Sequence, residues 1–151
     1  MVSTAVLALA STLASAGAGL AIDLSFGRTK ILLLWEDNGG FSDDVAGVDG
    51  PIAVITDDGR SLQLVVDLIL DGIPNSTLDP APDLAVTATG ANGSTLFEGT
   101  WPIPAIGDFG TTMRSFIVDH GCAPVTVAAR IEAAGAVVER WERTVAISCA
   151  E

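Results

Sequence analysis

The residues able to do chemistry are few. His120 is the single imidazole of the chain, and acting in a Ser-His-Asp arrangement it would need a hydroxyl and a carboxylate within hydrogen-bond reach. Asp119 precedes it, yet successive residues of a strand point to opposite faces, so this adjacency works against contact. His120 therefore reads as a structural histidine beside a turn. The segment Asp37-Asn38-Gly39-Gly40-Phe41-Ser42-Asp43-Asp44 offers oxygen atoms to a hard cation such as calcium. It lacks the fixed offsets and terminal Glu of an EF-hand loop, and solvated turn acids are the plainer reading. With 19 acidic residues, carboxylate pairs for glycoside hydrolysis can be drawn almost at will, but no spacing singles out two of them. There is no Gly-rich phosphate loop, cysteine-nucleophile signature or histidine metal motif. The expectation is a protein that is not an enzyme, with no catalytic residue, no metal and no cofactor.

Cys122 and Cys149 are the two cysteines. With one histidine they are too few for a zinc site, and they are expected to form a disulfide. A disulfide implies an oxidising compartment, hence an extracellular or cell-surface location. Two Asn-x-Ser/Thr sequons begin at Asn75 and Asn92, both in polar, turn-like sequence where an acceptor for glycosylation would be exposed. Trp35 and Trp141 lie within apolar strand patterns and are expected in the core. Trp101, next to Pro102, is the one expected at the surface, where it would allow sugar stacking.

These residues sit in a chain of 151 residues with net charge −12. The length suits one ordinary domain and an extension, and the charge repels phosphate backbones and anionic lipid, so nucleic acid is excluded as a partner. From residue 23 onward the pattern is β. Residues 29–35 form a nearly continuous apolar run. Residues 51–56 and 61–70 read as a hairpin about Asp57-Asp58-Gly59-Arg60, with Gly59 where a positive φ is needed. In 61–70, Leu62, Leu64, Val66, Leu68 and Leu70 share one face, the inward one. A crossover at 71–82 precedes a second hairpin, 83–89 with 94–101, whose core candidates are Val86, Leu96 and Phe97. Prolines and glycines interrupt 102–110, and 113–120 is a further strand.

The last hairpin pairs 125–133 with 137–148. Val125, Val127 and Ile131 meet the set Trp141, Val145 and Ile147 only when paired positions sum to an even number. Cys122 and Cys149 sum to an odd one. A bulge near Pro124, or a Cys122 in the preceding loop, is therefore required. Seven or eight short strands divided by turns make the head, residues 23–151, mainly β: an immunoglobulin-like or jelly-roll β-sandwich.

Residues 1–22 contain no charged side chain and include seven alanines. Val2, Val6, Leu9, Leu13, Ala16 and Leu20 recur at steps of three and four, one face of a helix. Three fates compete for this stretch. As a signal peptide it would be cleaved after Ala14-Ser15-Ala16 or Ala16-Gly17-Ala18, although no Lys or Arg precedes the apolar run. As a membrane anchor it is weakly apolar and lacks a basic flank. Retained, it would pack against copies of itself, because so long an apolar segment cannot stay in water.

An apolar N-terminal helix followed by a β-sandwich resembles the layout of pilin and archaellin-type subunits. Position 5 is Ala, where bacterial type IV pilins carry a glutamate. Asp23-Leu24-Ser25-Phe26-Gly27 is similar to the opening strand of spore-coat-like subunits that donate a strand to a neighbour. Both resemblances imply homopolymerisation through the N-terminus, with Val2, Val6, Leu9, Leu13 and Leu20 as assembly residues. The expected function is a structural subunit of an extracellular helical filament or pilus. Its partners are identical copies, and membrane contact is confined to export or assembly. The competing expectation is a secreted or surface module binding glycans or calcium after signal-peptide removal.

Overall fold

The computed structural model describes residues 22–57 and 59–149, and every regular element in them is a strand. In chain order these are β1 (Leu24–Phe26), β2 (Lys30–Trp35), β3 (Ile52–Ala53), β4 (Ile55–Thr56), β5 (Gly59–Gly72), β6 (Asp83–Gly90), β7 (Thr95–Pro102), β8 (Thr111–Asp119), β9 (Val125–Ala133), β10 (Ala136–Val145) and β11 (Ile147–Ser148). The helix expected near the N-terminus, with Val2, Val6, Leu9, Leu13 and Leu20, lies outside the described residues. Among the described residues no helix is long and apolar enough to cross a membrane.

β5 organises one sheet: β1 and β2 pair with it antiparallel along one side, β8 along the other, and β4 folds back on its first residues. The facing sheet has the order β10-β9-β6-β7. Hairpins join β6 to β7 and β9 to β10. The pairs β5–β8 and β6–β9 instead join strands far apart in sequence, because the chain crosses between sheets after β5, β7 and β8. That strand order is immunoglobulin-like rather than jelly-roll.

The alternation read in β5 is the one that builds the core. Leu64, Val66, Leu68 and Leu70 are fully buried, facing Leu84, Val86 and Ala88 of β6 and Val125, Val127, Ala129 and Ile131 of β9. Each large aliphatic side chain so removed from water contributes about 1.5–3 kcal/mol. Leu62 breaks the pattern. A register shift between Leu34 and Trp35 sets Trp35 opposite Ser61, so Ser61 is buried and Leu62 is only half-buried. Leu96 is a second departure, 37 % exposed on the outer side of edge strand β7.

The segment expected as one strand over 51–56 is two. The Val54 amide donates to the Ser148 carbonyl at 3.2 Å, drawing β3 into parallel pairing with β11 while β4 pairs with β5. Gly59 has φ +122°, and a Cβ there would lie 2.5 Å from Asp37 Oδ2, so the turn requires glycine. In the last hairpin Ala134 and Gly135 both have positive φ, 49° and 78°, as a two-residue loop of the I′ kind demands. Pairing begins at Ala136↔Ala133, with an odd sum, and shifts after Val137 to Glu139↔Ile131, with an even one. The parity correction thus sits at Val138 rather than near Pro124, and β9 and β10 then present their apolar faces together.

Candidate assembly surface

Cys122 and Cys149 form the expected disulfide, with Cα atoms 5.5 Å apart. Cys122 lies in the loop between β8 and β9, the second of the two arrangements that parity allowed. Its φ is +65° and that of Gly121 +53°. His120 holds this loop together. Its amide donates to the Leu62 carbonyl, its carbonyl accepts from the Ala123 amide, and its Nδ1 accepts from the Cys122 amide at 3.1 Å. Accepting at Nδ1 places the ring proton on Nε2, which is buried and has no hydrogen-bond partner among the described residues. His120 is 3 % exposed. Asp119 turns the other way, its Oδ1 accepting from Gln63 Nε2 at 2.7 Å.

Burial lowers the pKa of His120 below 6.5, with the Asp119 charge offsetting part of the effect. A base whose folded pKa is depressed binds its proton more weakly in the native state, so the unfolded chain takes up more protons as pH falls below 6.5. The stabilisation is complete above the unfolded pKa and is lost as pH drops toward the folded one. Urea midpoints of the wild-type chain should therefore fall from about pH 7.5 to about pH 5.5 by more than those of His120→Gln. Equal falls in the two proteins would show that His120 is not the titrating group.

Side chains of the acidic loop bond to backbone amides. Asp44 Oδ1 accepts from the amides of Ile31 and Ala46 at 3.1 and 3.0 Å, Ser42 Oγ accepts from the Leu33 amide at 2.9 Å, and Asp37 Oδ2 accepts from the Arg60 amide at 3.3 Å. These side chains lay the loop along the free edge of β2, which protects that edge from pairing with another chain. Asp44 thus departs from the solvated acid expected of it. Among the described residues no three of His, Cys, Asp and Glu cluster as metal ligands would.

Trp35 is buried, and Trp141 packs against the core. Trp101 does not form the exposed platform expected of it. It stacks with Phe97 at 5.9 Å between ring centroids, and Phe97 stacks on Phe116 of β8 at 4.5 Å. Gly99 lies between the two β7 aromatics, and a Cβ there would come within 2.6 Å of the Trp101 ring. The stack closes the sandwich on the β7–β8 side. Asn75 and Asn92 are exposed, as glycosylation would require.

The two outer faces of the sandwich differ. Over β6, β9 and β10 the outward rows are Thr87, Ala128 and Glu142, then Ala85, Arg130 and Arg140, polar or small, around a shallow groove of about 370 Å³. Over β2, β5 and β8 the row Leu32, Val65 and Ile117 crosses three strands in direct register, with Ile69 opposite Met113 nearby. Ile117 and Met113 are each 52 % exposed. Pairing alone did not flag this face in the sequence, but a signal was present: positions 64–66 and 68–70 are apolar on both faces of β5, as in strands covered on both sides.

β1 runs antiparallel to β5, with Leu24 opposite Gly72, the last residue of β5. Asp23-Leu24-Ser25-Phe26-Gly27 is thus occupied in its own sheet. The Asp23 carbonyl lies beside Gly72 at the end of β5, where the Gly72 amide donates to the Gly110 carbonyl at 2.9 Å, and Ile73 and Phe109 are 55 % and 94 % exposed.

No family model matches the sequence, and no curated protein matches it. Among solved structures, a candidate beta-galactosidase from Bacteroides fragilis aligns at 17% identity and TM-score 0.41, over 56% of this chain and 14% of that one. The beta-glucuronidase of Bifidobacterium dentium, complexed with coumarin-3-O-glucuronide, aligns at 9% identity and TM-score 0.44, over 83% of this chain and 18% of that one. This chain therefore spans less than a fifth of either protein. At these scores neither likeness bears on function.

Proposed function

We propose that this protein is a non-catalytic structural subunit of an extracellular filament or pilus, polymerising through residues 1–22 with the sandwich as its outer head. One observation carries the reading: a 22-residue stretch without a charged side chain precedes β1, whose first residue pairs with the last of β5. Burying such a stretch between copies removes apolar area from water at about 25 cal/mol per Å². A contact between two different patches, repeated without closing, builds a helix rather than a ring. The disulfide and the exposed Asn75 and Asn92 support an extracellular location.

A chain beginning at Asp23 is expected to remain a soluble monomer by light scattering under conditions in which the full chain sediments. Polymerisation of the truncated chain would reject the proposal. The second reading, a surface binding module, is favoured by the groove over Thr87 and Ala128. It requires a cleaved signal peptide, so mass spectrometry of the native protein should then find a first residue near Gly17 or Gly19. The filament subunit keeps residues 1–22.

A further inference from the structure

We infer that the loop between β8 and β9 is an acid-released latch: neutral His120 holds Gly121 and Cys122 closed, and a proton on its imidazole lets them open while the sandwich stays folded. The inference concerns one corner of the head and stands apart from the filament reading. Among the described residues three hydrogen bonds close the loop. The His120 amide donates to the Leu62 carbonyl at 2.9 Å and the Ala123 amide to the His120 carbonyl at 3.0 Å, and neither bond involves a titrating group. The third runs from the Cys122 amide to His120 Nδ1 at 3.1 Å. Its acceptor is a ring lone pair, and an imidazolium has none, because both ring nitrogens then carry hydrogen. Protonation therefore turns this hydrogen bond into two N–H groups facing each other.

The loop is set to move once that bond is lost. Gly121 and Cys122 both lie at positive φ, +53° and +65°, a backbone region that glycine enters freely and a residue with a Cβ does not. The ring gains by moving. His120 is buried and its Nε2–H has no partner among the described residues, so an imidazolium in the closed loop would hold two unsolvated N–H groups, whereas opening gives both to water. Burial lowers the affinity of the ring for a proton and Asp119, on the same strand, restores part of it, but the Asp119 carboxylate is turned toward Gln63. From β5 the residue meets the Leu62 carbonyl, and the disulfide at Cys122 does not titrate. The β6–β7 turn and the start of β7 bring Asn92, Ser94 and Leu96 to a cavity of about 300 Å³ that they share with His120 and Ala123, and no other ionisable side chain lines it. The opening is bounded, since Cys122 stays bonded to Cys149, and it widens that cavity.

The test uses the full chain with its disulfide intact, below the concentration at which it assembles. The NMR shift of His120 Cε1 reports protonation of the ring, and amide hydrogen exchange, corrected for its intrinsic pH dependence, reports opening. Ala123 is the informative amide, because its own acceptor is a carbonyl that does not titrate. As pH falls from about 7.5 to about 5, the protection of Cys122 and Ala123 should fall by at least about tenfold in step with the His120 shift, while Leu64 and Val66 in β5 keep theirs. In His120→Gln the protection at Ala123 should be the same at both pH values. Should that variant lose its β-sheet circular dichroism, the coincidence of the two wild-type titrations decides. Four results would each overturn the latch: an Ala123 amide that stays protected while the ring titrates, a fall of β5 along with the loop, a ring that takes no proton above about pH 5, or the same fall in folded His120→Gln. None of them touches residues 1–22, so the filament reading stands or falls by the truncated chain alone.

Discussion

Leu68→Ala should destabilise the sandwich by about 2–5 kcal/mol, whereas Ile69→Ala, one residue further on, should stay within about 1 kcal/mol in the non-assembled chain. Leu68 is fully buried and sits mid-strand in β5. Its backbone is held on one side by β8, where it pairs with Arg114, and its neighbour Asp67 is held on the other by Lys30 of β2. A strand fixed along both edges cannot move inward to fill the space a lost isobutyl group leaves. The upper part of the range is therefore expected, because the penalty grows with the cavity that remains. Ile69 projects to the outer face and is half-buried, so truncating it leaves a notch open to water. Urea unfolding followed by tryptophan fluorescence checks both values, and Leu68→Ala should lower Tm by roughly 10 °C. Equal losses at the two positions would mean that the facing of β5 is misassigned.

Most of the head was legible because period-two patterning is a direct physical consequence of one buried sheet face. β6, β9 and, from Leu64 onward, β5 follow from it. The disulfide loop was legible through parity, since apolar pairs and cysteines could not share one register. What patterning does not encode is where a ladder slips. The extra residue at Val138 and the shift at Trp35 each cost one position and change which of two neighbours is buried, which is why Leu62 yields to Ser61. Nor does it encode how strands from different sheets meet. Trp101 reads as exposed beside Pro102, but it is partly buried because Gly99 lets its ring lie close to Phe97, and Phe97 reaches Phe116 across the sandwich. The apolar outer face was hidden for a similar reason. Val65, Ile117 and Leu32 are unremarkable one at a time and become a surface only when registers align them across three strands.

Removing the disulfide through Cys122→Ser with Cys149→Ser should cost on the order of 3 kcal/mol, and the loss should begin at one corner of the molecule. The two cysteines are 27 residues apart, and cross-linking a loop of that length removes about this much conformational freedom from the unfolded chain. On the folded side the bond anchors the chain just after β11. Among the described residues β11 pairs with β3, through Ile147↔Ile52 and Ser148↔Ala53, and the Ile52 and Val54 amides donate to the carbonyls of Ala146 and Ser148 at 2.8 and 3.2 Å. So short a parallel pair holds little by itself. Without the disulfide, the loop at His120 and Cys122, whose backbone sits at positive φ, loses its tie to that pair, and β3 loses its partner next. Hydrogen exchange should therefore speed up at Ile52 and Val54 well before the amides of β5, while the urea midpoint falls. If the Ile52 and Val54 amides keep their protection in the double variant, β3 and β11 are held by their packing against Val145 and the core, and the disulfide acts on the unfolded chain alone.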